Sequence, residues 1–191
     1  MPYDSAYPVD TYWDIGVGDN CTIWFVQRKP TGFHYIDYYE NNGKGVDHYA
    51  TIIRERRYKY GRHVWPHDGE QREFGTGITR REMARKHGLN VEIQKRQKVD
   101  DRIQASRSRI SISFFDETKC KRGLDALFNY QTEWDGKAQM FKNKPKHDWS
   151  SHGSDSFGYS ALDNRTSRFE EERMLMGRLQ TTANSEYNEL G

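Results

Sequence analysis

Three aspartates and one histidine stand where chemistry would need them. Asp14 falls inside an aromatic, β-branched stretch, Tyr12-Trp13-Asp14-Ile15-Gly16, read as the middle of a strand, where a carboxylate is costly unless paired or metal-bound. Asp68 follows Trp65-Pro66-His67 where another strand runs out. Asp155 lies near the end of His147-Asp148-Trp149-Ser150-Ser151-His152-Gly153-Ser154-Asp155, read as helical, and His152 three residues earlier shares its face. Asp148 joins that face only if the helix starts early; otherwise it caps the start at Ser150 or Ser151. Acids from a central strand, a neighbouring strand end and a helix can converge without a dedicated loop cage. Such a set suits phosphodiester hydrolysis with two metal ions, because Mg²⁺ prefers carboxylate oxygen and keeps several waters. Two ions about 3.5–4 Å apart let one activate water while the other steadies the leaving oxygen. Each residue also has a plainer reading. Asp14 is an edge or turn residue, Asp68 before Gly69 a turn residue, and His152 a satisfied helix histidine. Asp19, followed by Asn20, reads as a turn.

The elements that must position these groups are legible in outline. Thr11 to Val17 reads as a first strand ending at Gly16 and Gly18, Cys21 to Val26 as a second and Phe33 to Tyr39 as a third. Pro30-Thr31-Gly32 turns between the last two, and Asn41-Asn42-Gly43 closes them, so the three form an antiparallel meander. Val46, Tyr49, Ile52, Ile53 and Arg56 follow helical spacing, with Gly61 as the stop. A short strand follows at His63 to Pro66. Thr79 and Glu82 then form a capping box, Ile78 and Met83 sit at staple positions, and Gly88 is a C-cap candidate. Val91 to Ile93 gives a fifth strand, and a helix between strands signals parallel crossover pairing. Val99, Ile103, Ser106 and Ile110 predict one more helix. Cys120, Leu124, Leu127, Tyr130, Gln131 and Trp134 predict a longer one, and a last covers Ser150 to Leu162. The expected class is α/β, a mixed central sheet, antiparallel in its first three strands and then parallel, flanked by helices. Residues 1–10 read as a lead-in, 11–162 as the domain, and 163–191 as a polar tail, mobile or partner-dependent, in which Phe169, Met174, Leu175, Met176 and Leu179 would form one amphipathic helix.

Composition narrows the class further. Aromatics reach 14% of the 191 residues, more than a disordered chain carries. Cys21 and Cys120 are far apart and in no C-x-x-C pattern, which argues against a disulfide scaffold or structural zinc. No run of about 18 apolar residues and no signal-peptide core occurs, so the expectation is a soluble intracellular protein without a membrane role. Met1-Pro2 before a polar stretch reads as a boundary inside a longer protein. The net charge of +2 says little, but Lys and Arg crowd the middle of the chain and acids return in the tail. That run is either a solvated face or an electrostatic footprint for nucleic acid.

At Trp13-Asp14-Ile15-Gly16 followed by Thr22-Ile23-Trp24-Phe25, at Trp65-Pro66-His67-Asp68-Gly69 and at His147 to Tyr159, the sequence resembles the C-terminal nuclease domain of tailed-bacteriophage terminase large subunits. The passages at 99–107 and 120–124 look like that family's spacer helices, and the likeness covers roughly residues 11 to 162. It implies a ribonuclease H-like fold in which Asp14, Asp68 and Asp155 coordinate two Mg²⁺ or Mn²⁺ ions. Asp14 would be shared, His152 would help, and Asp148 is a further candidate. It also implies an endonuclease that cuts concatemeric double-stranded viral DNA during genome packaging in the host cell cytoplasm. The expected partners are double-stranded DNA, the ATPase domain of the same full-length protein, a small terminase subunit and a portal ring. Arg80, Arg81, Lys95 and Arg102 of the basic middle are the candidate DNA contacts. The sequence departs from the full enzyme in having no G-x-x-x-x-G-K-[ST] segment, so the packaging ATPase is not expected in this chain. Ser154 and Ser156 stand around Asp155 where the family often has small apolar residues. A junction resolvase, a hybrid-cutting ribonuclease and a non-catalytic module docking on DNA or a portal are the alternatives.

Overall fold

A computed structural model describes residues 2–16, 20–73, 75 and 77–163, apart from the Asn143 side chain; the residues of the expected tail after Asp163 lie outside the described ones. The elements are β1 (Val9–Asp14), β2 (Asn20–Lys29), β3 (Gly32–Asn42), α1 (Val46–Glu55), β4 (Tyr60–Trp65), a 3₁₀ turn (His67–Glu70), α2 (Arg80–Lys86), β5 (Val91–Ile93), α3 (Val99–Ile110), β6 (Ser113–Phe115), α4 (Lys121–Asn129), β7 (Thr132–Asp135), β8 (Met140–Pro145) and α5 (Trp149–Leu162). Six strands form one sheet in the order β5-β4-β1-β2-β3-β6, and β7 and β8 form a separate hairpin.

The β1-β2-β3 meander is antiparallel, whereas β4 lies parallel to β1, β5 to β4 and β6 to β3. This is the mixed sheet the element order predicts. Alternation along β1 divides its side chains between two layers. Val9 and Trp13 enter an apolar core with Phe25, Tyr49 and Ile53, Trp65, Ala84 and Leu89. Tyr12 turns to the other face, into a core with Trp24, Tyr35, Tyr38, Cys120 and Phe157. The helix α2 starts at the expected capping box: Thr79 accepts from the Glu82 backbone N–H while Glu82 accepts from the Thr79 N–H. Gly88 follows at φ +83°, a left-handed conformation suited to the end of that helix.

Three expectations need correction, and one strand is additional. The first strand begins at Val9, so Asp14 ends it rather than lying at its middle. That shift brings Asp10 into the strand, where Arg62 and Arg28 compensate its buried carboxylate at 3.0 and 3.6 Å. Gly61 does not stop the first helix, which ends at Glu55, but lies in β4 beside Asp10. The longer helix expected through Trp134 ends at Asn129, and Thr132–Asp135 instead pairs antiparallel with β8. The three-residue strand β6 was not foreseen; it exists by parallel pairing to Phe33–Tyr35. Among the described residues no helix is long and apolar enough to cross a membrane.

Candidate active site

The site is built where β1 ends and α5 begins. Thr22, the register partner of Asp14 on β2, donates to the His152 carbonyl at 2.9 Å, and the Trp24 indole N–H donates to the Gly153 carbonyl at 2.8 Å. These two bonds pin the first turns of α5 to the sheet. Small residues let the helix come close: a Cβ at Gly153 would lie 2.8 Å from the Tyr38 hydroxyl and 2.9 Å from the Ala126 Cβ. Buried serines return their hydroxyls to nearby carbonyls, Ser156 to His152 and Ser160 to Phe157, so this polar interface leaves those donors satisfied. The serines around Asp155 are therefore part of the seat of the helix.

Asp14 meets His152 across this seat, with 3.0 Å between Oδ2 and Nδ1. Asp155, one turn further on, meets Arg102 of α3 with 3.0 Å between Oδ1 and Nη2. Burial pushes the Asp155 carboxyl above its ordinary value, Arg102 opposes this, and the charge of Asp14 adds to it. Asp14 and Asp155 are thus close enough to repel. Tyr159, four residues after Asp155, has its phenol pushed up by burial. Arg102 opposes that shift, and Asp14, Asp155 and Asp68 all add to it, so all three carboxylates act on one ring.

Asp68 reaches this neighbourhood from the 3₁₀ turn but is held by its own neighbour, with His67 Nε2 at 2.9 Å. Among the described residues no group of three Asp, Glu, His or Cys side chains stands close enough to hold a metal ion. The donor set still fits a hard divalent cation in part: two mutually repelling carboxylates sit together, one beside an arginine, and a third acts from the adjacent turn. Asp148 is the N-cap of α5, accepting from the Ser150 backbone N–H at 2.9 Å and from its hydroxyl at 2.6 Å. Those bonds to Ser150 hold its carboxyl below the usual value.

The expected DNA contacts divide. Arg80 and Arg81 pair with Glu73 at 2.9 Å and Glu70 at 2.7 Å, Lys95 is exposed beyond β5, and Arg102 faces the acid site. Two tyrosines had no role assigned from sequence. Tyr159 stands at i+4 from Asp155, a spacing that puts it on the same helix face. Tyr130 lines the cavity beside Asp155, its phenol pushed up by burial and by that carboxylate; the helical spacing that includes it does not point to the site.

No family model matches the sequence, and no curated protein matches it either. Solved structures do. The P22 large terminase nuclease domain superposes with a TM-score of 0.64 at 14% identity, covering 90% of this chain and 89% of that one. The nuclease domain of the bacteriophage SPP1 large terminase, solved with bound Mn, gives 0.57 at 13% identity over 80% and 84%. The large terminase of a thermophilic bacteriophage, solved in complex with ADP, gives 0.63 at 15% identity over 86% of this chain, which spans about two fifths (41%) of that protein. The chain therefore has the ribonuclease H-like fold of the large terminase nuclease domains.

Proposed function

We propose that this chain is a divalent-metal-dependent endonuclease of the large-terminase type, cutting concatemeric double-stranded viral DNA during genome packaging. The observation that carries the reading is the placing of Asp14 at the end of β1 beside His152 and of Asp155 on α5 beside Arg102, near enough for the charge of Asp14 to raise the Asp155 carboxyl. On this reading Asp14, Asp155 and Asp68 hold Mg²⁺ or Mn²⁺, and the SPP1 and G20c nuclease domains, solved with bound Mn and bound cobalt, support a divalent site. Two such ions would supply an activated water and a steadied leaving oxygen.

The chain's own groups set the stage for that chemistry. His152 braces Asp14, so the shared carboxylate keeps one orientation at the strand end. The α5 seat holds Asp155 within range of Asp14, and Asp68 completes the set once its bond to His67 is given up. Lys95 and the other exposed bases meet DNA phosphates without reading sequence, so affinity falls with added salt. The partners that go with this role are the ATPase domain of the same full-length protein, a small terminase subunit and a portal ring, in the host cell cytoplasm.

The test is cleavage of supercoiled plasmid, a four-way junction and an RNA–DNA hybrid by the purified chain in Mg²⁺, Mn²⁺ or EDTA, beside an Asp155→Ala variant. Nicking or linearisation of plasmid that needs metal and is lost in the variant is the expected result. Preference for the junction or the hybrid would move the assignment to another ribonuclease H-like nuclease. Absence of any cutting by a folded, metal-binding chain would favour a docking module.

A further inference from the structure

We infer that Arg102 is the resident cation of Asp155: it holds the carboxylate while no divalent ion is bound and turns to a phosphate of the DNA strand when the carboxylate is taken. This rests on the metal-nuclease reading above and adds a residue with two alternating partners. The pair spans α3 and α5 and is largely buried, with side-chain exposures of 12% for Arg102 and 25% for Asp155. Close packing fixes the arginine's backbone, since a Cβ at Gly158 would lie 3.1 Å from the Arg102 Cβ. Movement is therefore left to the side chain alone.

The guanidinium is incompletely used where it stands. Nη2 donates to one Asp155 oxygen at 3.0 Å and Nη1 makes only a long 3.5 Å contact to the Tyr159 hydroxyl, the group lies 5.0 Å from the Tyr159 ring centroid, and its buried Nε–H has no hydrogen-bond partner among the described residues. An arginine seated for structure alone would normally spend that donor. It also has somewhere to go. Arg102, Tyr130 and Asp155 line both a cavity of about 170 Å³ and a larger one of about 500 Å³. The larger is also lined by Lys144, Lys146 and His147, so a phosphate entering it would meet further bases. The planar fork of arginine suits phosphate as well as carboxylate, and Tyr159 offers a ring face on which the side chain can pivot. A divalent ion on the Asp155 carboxylate repels a guanidinium held against it and so weakens the Arg102 contact.

The test is calorimetric titration of Mn²⁺ into the full chain and its Arg102→Gln, Arg102→Lys and Asp155→Asn variants, without DNA. Alongside it, the Arg102 Nε–H resonance is followed during Mg²⁺ addition. Removing a competing partly buried ion pair should tighten Mn²⁺ binding about three- to tenfold in Arg102→Gln, while Arg102→Lys, which keeps the charge, stays near wild type. The Nε–H resonance should shift with Mg²⁺ in wild type and stay put in Asp155→Asn. Mn²⁺ binding in Arg102→Gln equal to or weaker than wild type overturns the inference and leaves the metal site standing. An Nε–H resonance unmoved while Mg²⁺ binds does the same. Failure of both wild type and Arg102→Gln to bind Mn²⁺ overturns the metal reading and this inference together.

Discussion

The two faces of the central sheet are closed by different physics. Toward α1 and α2 the sheet buries aliphatic and aromatic side chains, with Trp13 against Tyr49 and Trp65 at ring distances of 5.9 and 5.4 Å. Toward α5 it also buries an aromatic cluster, but against a helix of serines and glycines held by Thr22, Trp24 and Tyr35 hydrogen bonds. The first closure is non-directional and tolerant of small shifts. The second fixes the register of α5 against β1 and β2, which is what two carboxylates need if they are to share ions. Both layers thus bury apolar surface, and the hydrogen-bonded one adds positional accuracy.

The largest effect should come from breaking the apolar face. Trp13→Ala removes an almost fully buried ring and should cost about 3–5 kcal/mol in chemical denaturation; a loss under about 1 kcal/mol would mean this face is not a main store of stability. Next comes His63, whose Nδ1 shares a hydrogen bond with the Thr11 hydroxyl, itself an acceptor for the Trp13 indole N–H. Burial lowers its pKa from 6.5 to about 4. The unfolded chain therefore binds the proton more readily between those values, so stability is full above about pH 6.5 and falls as pH drops toward 4, by up to about 3 kcal/mol. Denaturant midpoints at pH 7 and pH 4.5 should differ more in wild type than in His63→Gln; equal differences would remove His63 from the account.

On the polar face, Gly153→Ala should lose about 1–3 kcal/mol through overlap with Tyr38 and Ala126. Unlike Trp13→Leu, it should also lower cleavage per folded molecule, because it shifts the turn that carries His152. Equal specific activity in the two variants would erase the proposed division of labour. The smallest effect is Thr79→Ala, a surface cap worth about 1 kcal/mol, expected to leave cleavage unchanged.

Local signals were the readable ones. The Thr79–Glu82 box, the helix over 99–110 and the Asp148 cap rest on neighbours within three or four residues, and each stands as the residue types predict. The end of α4 was not readable, because Tyr130 and Trp134 continue a helical spacing from Cys120 that the chain abandons. The reason is exposure: Trp134 and Phe141 of the β7–β8 hairpin are more than half exposed and pack on each other, so no core burial imprints a strand period. Asp14 ends β1 and Asp155 lies on α5, and the partners of neither were legible. Arg102 lies 53 residues from Asp155 and His152 lies 138 from Asp14, distances at which no spacing rule operates. The placing of Asp14 at mid-strand failed for the same reason, since Asp10 enters β1 only because Arg28 and Arg62 arrive from β2 and β4.

The most direct measurement is single-turnover cleavage of linear duplex DNA in Mn²⁺ by wild type, Asp14→Asn, Asp155→Asn and the double variant, with unfolding midpoints recorded for each. If the two carboxylates act as one unit, each single variant should lose about 10³-fold or more and the double variant little beyond that, all three remaining folded. Metal-dependent cutting that survives in either folded single variant would contradict the site described here.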